Sequence, residues 1–188
     1  MEGESGNMDT VNDIVWEANV VSYYDNELIT DYYLKNNYGR KSRWQLWKLC
    51  IDIMKSLNIK TVFDIGAANG HFIYLCVKNG IDAYGIEPRQ DEIDFANSKY
   101  LKPRLIKTKY QKVEIPNVDC VTILNFLHGK NHKKEDIELL LEKIFKNSRY
   151  LIASEPRWKE LEMDNLLSKY PKIVSDLDWE DKHHLWKL

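Results

Sequence analysis

The chain has 188 residues, 44% hydrophobic and 30% charged, with a formal net charge of −2. That is long enough to bury one sizeable core without disulfides, and too near neutral to gather nucleic acid or an anionic membrane through a global field. The cysteines Cys50, Cys76 and Cys120 stand apart in apolar contexts with no CxxC pair, which argues against a cysteine-built zinc or redox site and for a reducing, cytoplasmic setting.

The opening residues, MEGESGNMDT, are polar with no apolar centre, so they do not read as a signal peptide, and residues 1–12 are expected to be disordered. No apolar run approaches the roughly 18 residues that cross a bilayer. Residues 13–57 read as a helical extension, aromatic and acidic as far as Tyr38. Within it, Ser42 is placed to cap a helix whose apolar positions Trp44, Trp47, Leu49, Cys50, Ile53, Met54 and Leu57 follow a 3.6-residue period.

From residue 58 onward short strands and helices alternate. The pattern predicts strands at Thr61–Ile65, Asp82–Glu87, Arg104–Thr108, Cys120–Asn125 and Tyr150–Ser154, and helices at Gly70–Lys78, Asp91–Ser98, Glu135–Phe145 and Lys159–Leu167. The runs TVFDI, CVTIL and YLIAS are almost wholly apolar, as strands are when helices cover both faces of a parallel sheet. The tail differs. Lys172–Leu177 and His183–Leu188 flank an acidic turn and read as an antiparallel hairpin. The expected fold is therefore α/β and Rossmann-like: a doubly wound, mostly parallel seven-stranded sheet with an antiparallel last strand.

The stretch TVFDIGAANGHF carries the chemistry. A strand entering a glycine loop and then a helix brings backbone N–H groups and a helix N-terminus to one place. Gly66 and Gly70 permit torsions and close approaches that a side chain blocks. Glu87, at the tip of the next strand, is an acid positioned to accept ribose hydroxyls. A nucleoside-containing ligand follows. The dinucleotide pattern G-x-G-x-x-G fails, because Ala68 and His71 stand where it needs glycine. Asp64, two residues ahead of Gly66, would also repel a pyrophosphate.

An acid followed by this glycine loop resembles the first motif of the class I S-adenosylmethionine-dependent methyltransferases, here Asp64-Ile65-Gly66-Ala67-Ala68-Asn69-Gly70 with Ala68 in place of a middle glycine. The resemblance extends through Tyr84-Gly85-Ile86-Glu87-Pro88, Val118–Asn125 and Leu151–Pro156, and covers residues 58–188. It implies S-adenosylmethionine as cofactor and S-adenosylhomocysteine as product. Asp64 and the backbone of Gly66, Ala67, Ala68, Asn69 and Gly70 would hold the amino-acid part. Glu87 and Pro88 would lie at the ribose, and Asn125 and Phe126 would complete the methionine pocket. The acid that often follows the third strand is missing, which leaves Tyr110 or Gln111 for adenine. The cation-bearing ligand also explains why an acid precedes the glycines.

Methyl transfer needs alignment and exclusion of water, and a general base only where the acceptor must lose a proton. His128 and Glu155 are the candidates for that base, with a packing histidine the alternative for His128. His132 caps or precedes the following helix, and His71 meets either the ligand or solvent. No metal site is expected. The NFLH sequence after the fourth strand, the lack of a Pro-Cys nucleophile and the lack of a Lys-Asp-Lys-Glu tetrad argue against DNA-amino, cytosine-C5 and ribose-2′-O methylation. These observations favour O or N of a small molecule as acceptor. The basic and aromatic strip YYLKNNYGRKSRWQLWK keeps an RNA or nucleotide methyltransferase as an alternative, and a non-catalytic cofactor-binding partner subunit is a third.

Overall fold

A computed structural model describes residues 42–99, 104–124, 132–154, 167–174 and 183–188. Its centre is β1, Thr61–Ile65, in which Val62, Phe63, Asp64 and Ile65 are all buried. β1 pairs in parallel with β2 (Asp82–Glu87) on one side and β4 (Val118–Ile123) on the other. Outward from these lie β3 (Leu105–Lys107) and β5 (Ser148–Ser154), both parallel to their neighbours. β6 (Lys172–Val174) and β7 (His183–Lys187) complete the order β3-β2-β1-β4-β5-β7-β6. β7 runs antiparallel to both β5 and β6, between which it is inserted.

The helices are α1 (Ser42–Ser56), α2 (His71–Lys78), α3 (Gln90–Lys99) and α4 (Lys134–Asn147). Strand pleating sends alternate residues to opposite faces. Phe63, Val121 and Leu151 accordingly join Ile137, Leu140, Leu141 and Ile144 of α4 in one core. Val62, Cys120 and Ile152 join Cys50, Ile51 and Met54 of α1 and Phe72, Ile73 and Cys76 of α2 in the other. Burying an aliphatic side chain of this size contributes about 2 kcal/mol, so the apolar strand runs anchor both layers.

The elements depart from the sequence pattern at their ends. β3 is shorter than Arg104–Thr108, and β4 begins at Val118 rather than Cys120. β5 starts at Ser148, directly after α4, with no intervening loop. Polar residues conceal that start. The Ser148 hydroxyl donates to the Tyr150 carbonyl at 2.9 Å, with the Asp119 carbonyl 3.3 Å away as the alternative acceptor, satisfying a side chain that propensity alone assigns to a turn. α1 buries a narrower stripe than its periodicity suggests, leaving Leu49 exposed. The expected helix at Lys159–Leu167 and residues 13–41 of the extension lie outside the described residues, except Leu167, which is in a turn. Among the described residues no helix is long and apolar enough to cross a membrane.

Candidate functional site

The chain runs outward from β1 through β2 to β3, then returns across the sheet to β4 beside β1. That reversal opens a crevice at the carboxyl ends of β1 and β4, the place where open α/β sheets bind ligands. Asp64, the glycine loop and Glu87 all stand there.

The loop from Gly66 to Gly70 is shaped by left-handed torsions: φ is 77° at Gly66, 48° at Ala68 and 74° at Gly70. Glycine takes these without penalty, whereas alanine at 48° carries strain. The loop is stitched to β2. The Gly66 and Ala67 N–H groups both donate to the Ile86 carbonyl, at 3.1 and 2.9 Å. The Ala68 N–H donates to Glu87 Oε2 at 3.0 Å. The Gly70 N–H closes the turn on the Ala67 carbonyl at 2.9 Å, and as the N-cap residue of α2 Gly70 accepts the Tyr74 N–H on its carbonyl at 3.0 Å. Asn69 is half-buried within the turn.

Asp64 is only 4% exposed. Its Oδ1 accepts a 2.6 Å hydrogen bond from the Thr122 hydroxyl, opposite it in the β1–β4 register. Burial pushes the Asp64 carboxyl up to about 7; the Thr122 hydrogen bond pulls it down and the neighbouring Glu87 charge raises it further. No ion pair involves Asp64 among the described residues. Such a buried acid is stabilised in its ionised form by a cation brought from outside.

Glu87, also 4% exposed, has both oxygens engaged. Oε2 takes the Ala68 N–H, and Oε1 takes the Arg89 backbone N–H and Nε, each at 3.0 Å. Pro88 follows as an exposed bend that ends β2. His71, expected at ligand or solvent, is instead buried: its ring lies 6.4 Å from Trp47 and 6.2 Å from Phe95, centroid to centroid. Burial lowers its pKa to about 4, so the ring is neutral at physiological pH.

Tyr110 and Gln111 sit in a single 3₁₀ turn after β3. Tyr110 is buried in the α4-side core, with its hydroxyl 3.1 Å from His132 Nδ1. Burial pushes that phenol up to about 12, with the Asp136 charge and hydrogen bond adding to the rise. Gln111 is exposed, and its amide donates to Asp136 at 3.3 Å. Both residues thus brace the β3–β4 crossover against α4. His132 lies two residues before α4 and does not cap it; Lys133 is the N-cap residue. Asn125, Phe126, His128 and Glu155 lie outside the described residues. Among the described residues no three His, Cys, Asp or Glu side chains gather as metal ligands.

Two residues that the sequence pattern does not single out belong to the site. Thr122 is the polar member of an apolar strand, and only the β1–β4 register shows that it meets Asp64. Arg89 follows the Glu-Pro pair, where its charge beside an acid is the one available signal.

No protein-family model matches this chain, and no curated protein matches it by sequence. Solved structures do match. A S-adenosylmethionine-dependent methyltransferase from Clostridium acetobutylicum ATCC 824 aligns with a TM-score of 0.69 at 11% identity, over 88% of this chain and 98% of that one. Magnesium protoporphyrin IX methyltransferase (ChlM) from Synechocystis PCC 6803 with bound SAM aligns at 0.67 and 13%, over 94% and 96%. The bifunctional kinase-methyltransferase WbdD aligns at 0.59 and 16%, over 78% of this chain and 39% of its own, so this chain spans about two fifths of WbdD. With its strand order, its strand–glycine loop–helix crossover and its acid at the β2 tip, the chain has the fold of the class I S-adenosylmethionine-dependent methyltransferases.

Proposed function

We propose that this protein is a S-adenosylmethionine-dependent methyltransferase acting on an oxygen or nitrogen of a small molecule. The observation that carries the reading is Asp64: a buried carboxylate with its pKa raised to about 7, at the crevice where β1 meets the glycine loop. Its position suits a ligand that brings positive charge, which favours an ammonium- and sulfonium-bearing nucleoside over a dinucleotide. When bound, that cofactor supplies a methyl group already activated on sulfur.

The chain's own residues divide the remaining work. Asp64, with Thr122 fixing its orientation, pairs with the amino-acid end. The loop from Gly66 to Gly70 supplies close backbone approach, and Glu87 lies at the ribose. Tyr110 and Gln111 border the adenine position, and Asn125 and Phe126 follow β4 where they would close the methionine pocket. His128 and Glu155 are the residues to test as bases for a protonated acceptor. A small-molecule acceptor is favoured over nucleic acid by the net charge of −2 and by the lack of the nucleic-acid methylation motifs.

Titration calorimetry with S-adenosylmethionine and S-adenosylhomocysteine tests the reading. Both are expected to bind, with Glu87→Ala weakening each by at least about tenfold, the worth of a hydrogen bond to a charged group. Absence of binding by either ligand sinks the proposal. Turnover on a panel of hydroxyl and amine acceptors then identifies the acceptor class.

A further inference from the structure

Glu87 reaches the crevice with unequal oxygens. Oε1 accepts two donors from Arg89, its backbone N–H and its Nε, both at 3.0 Å. Oε2 accepts one, the Ala68 N–H at 3.0 Å. A carboxylate offers about four lone-pair sites, two on each oxygen, so Oε1 is filled and Oε2 retains one. The two backbone donors are fixed by the glycine loop and by the bend at Pro88. The side-chain donor is held as well, because Arg89 Nη2 also pairs with Glu92 Oε1 at 2.8 Å, one turn along α3. The guanidinium therefore bridges two carboxylates, and charge-assisted bonds of this kind are the strong ones.

A ribose diol presents two O–H donors to an acid at this strand tip, and accepting both would require an open site on each oxygen. We propose that Arg89 withholds one oxygen of Glu87, so that this carboxylate accepts a single ribose hydroxyl and the other hydroxyl is left to solvent. The inference rests on the nucleoside-cofactor reading above. It makes Arg89 a positioning residue: it acts on the sugar through Glu87. It also predicts unusual tolerance of cofactor analogues altered at one ribose hydroxyl.

The test is a cycle between ligand and side chain, read by calorimetry with S-adenosylhomocysteine and its 2′-deoxy and 3′-deoxy forms. In the unaltered protein, loss of one hydroxyl should weaken binding about tenfold and loss of the other by less than about twofold. Arg89→Met keeps the aliphatic stem and removes the donors. In that variant each deoxy form should bind about tenfold more weakly than the parent ligand. Arg89→Lys, which restores a cationic donor, should bring the asymmetry back. Equal losses for both deoxy forms in the unaltered protein overturn the inference, as does an asymmetry that survives in Arg89→Met. A uniform weakening of all three ligands in Arg89→Met also overturns it, because that is what a merely structural role gives. If S-adenosylhomocysteine itself fails to bind the unaltered protein, the cofactor reading falls and this inference falls with it. Binding without the asymmetry removes only the second.

Discussion

Ala68 occupies a left-handed torsion of 48° while its N–H holds Glu87 in place. A Cβ in that region costs about 1 kcal/mol, close to the unfolded-state entropy that alanine saves relative to glycine. Ala68→Gly should therefore shift stability by no more than about 1 kcal/mol, whereas Ala68→Val, β-branched at the same torsion, should lose about 2 kcal/mol. Urea denaturation of both variants checks this, and a Val variant as stable as Gly would show that the loop carries no strain. Asp64 makes the second residue-scale prediction. Below about 7 it keeps a proton that a cationic ligand must displace. Under the proposed function, affinity for S-adenosylmethionine should rise as pH rises toward 7, by up to about tenfold per unit. Calorimetry at pH 6 in buffers of different ionisation heat should register release of nearly one proton, vanishing in Asp64→Asn. A pH-independent affinity would separate Asp64 from the ligand.

At the scale of elements, the close seating of α2 over β1 and β2 depends on Gly85. A methyl group there would lie 2.7 Å from the Asp64 carbonyl, 2.7 Å from Ile73 Cδ1 and 2.9 Å from the Ala67 Cβ. Backbone cannot yield as a side-chain tip does, so Gly85→Ala should destabilise by about 3 kcal/mol or prevent folding. A thermal midpoint within a degree or two of the unaltered protein would contradict that packing. The same layer brings together three cysteines that lie far apart in sequence, Cys50 on α1, Cys76 on α2 and Cys120 on β4. Burial pushes the Cys50 thiol up to about 12 and raises the other two as well. A thiol reagent should leave all three intact in the folded protein and modify all three in denaturant, which a mass-spectrometric count resolves. Those thiols also illustrate what sequence can carry. Apolar runs located the strands and the 3.6 period located α1, because both patterns are local. The Asp64–Thr122 bond, the Tyr110–His132 contact and the engagement of Glu87 by Ala68 depend on register and rotamer across distant segments, which no short window contains. The acid and glycines of the loop were legible for a different reason: a buried acid and left-handed torsions are written in residue type.

Over the whole molecule, two buried groups beside the crevice titrate in opposite senses. Asp64 is raised from 3.8 to about 7, so between those values the folded chain holds a proton that the unfolded chain has lost. On its own this makes stability fall as pH rises through that window. His71 is lowered from 6.5 to about 4, so between those values the unfolded chain holds the extra proton. On its own this makes stability fall as pH drops through that window. From about pH 4.5 to 6.5 the two differences cancel, and the pair contributes almost no slope. Removing one member exposes the other. In Asp64→Asn, stability should rise with pH across this interval by about 1.4 kcal/mol per unit relative to the unaltered protein. In His71→Gln it should fall with pH by a similar amount. Packing lost around Trp47 and Phe95 would lower the His71→Gln curve at every pH without changing its slope, so the slope isolates the proton. Urea denaturation at half-unit steps from pH 4.5 to 6.5 measures both. Parallel curves for the three proteins would mean that neither group is held away from its ordinary protonation by the fold.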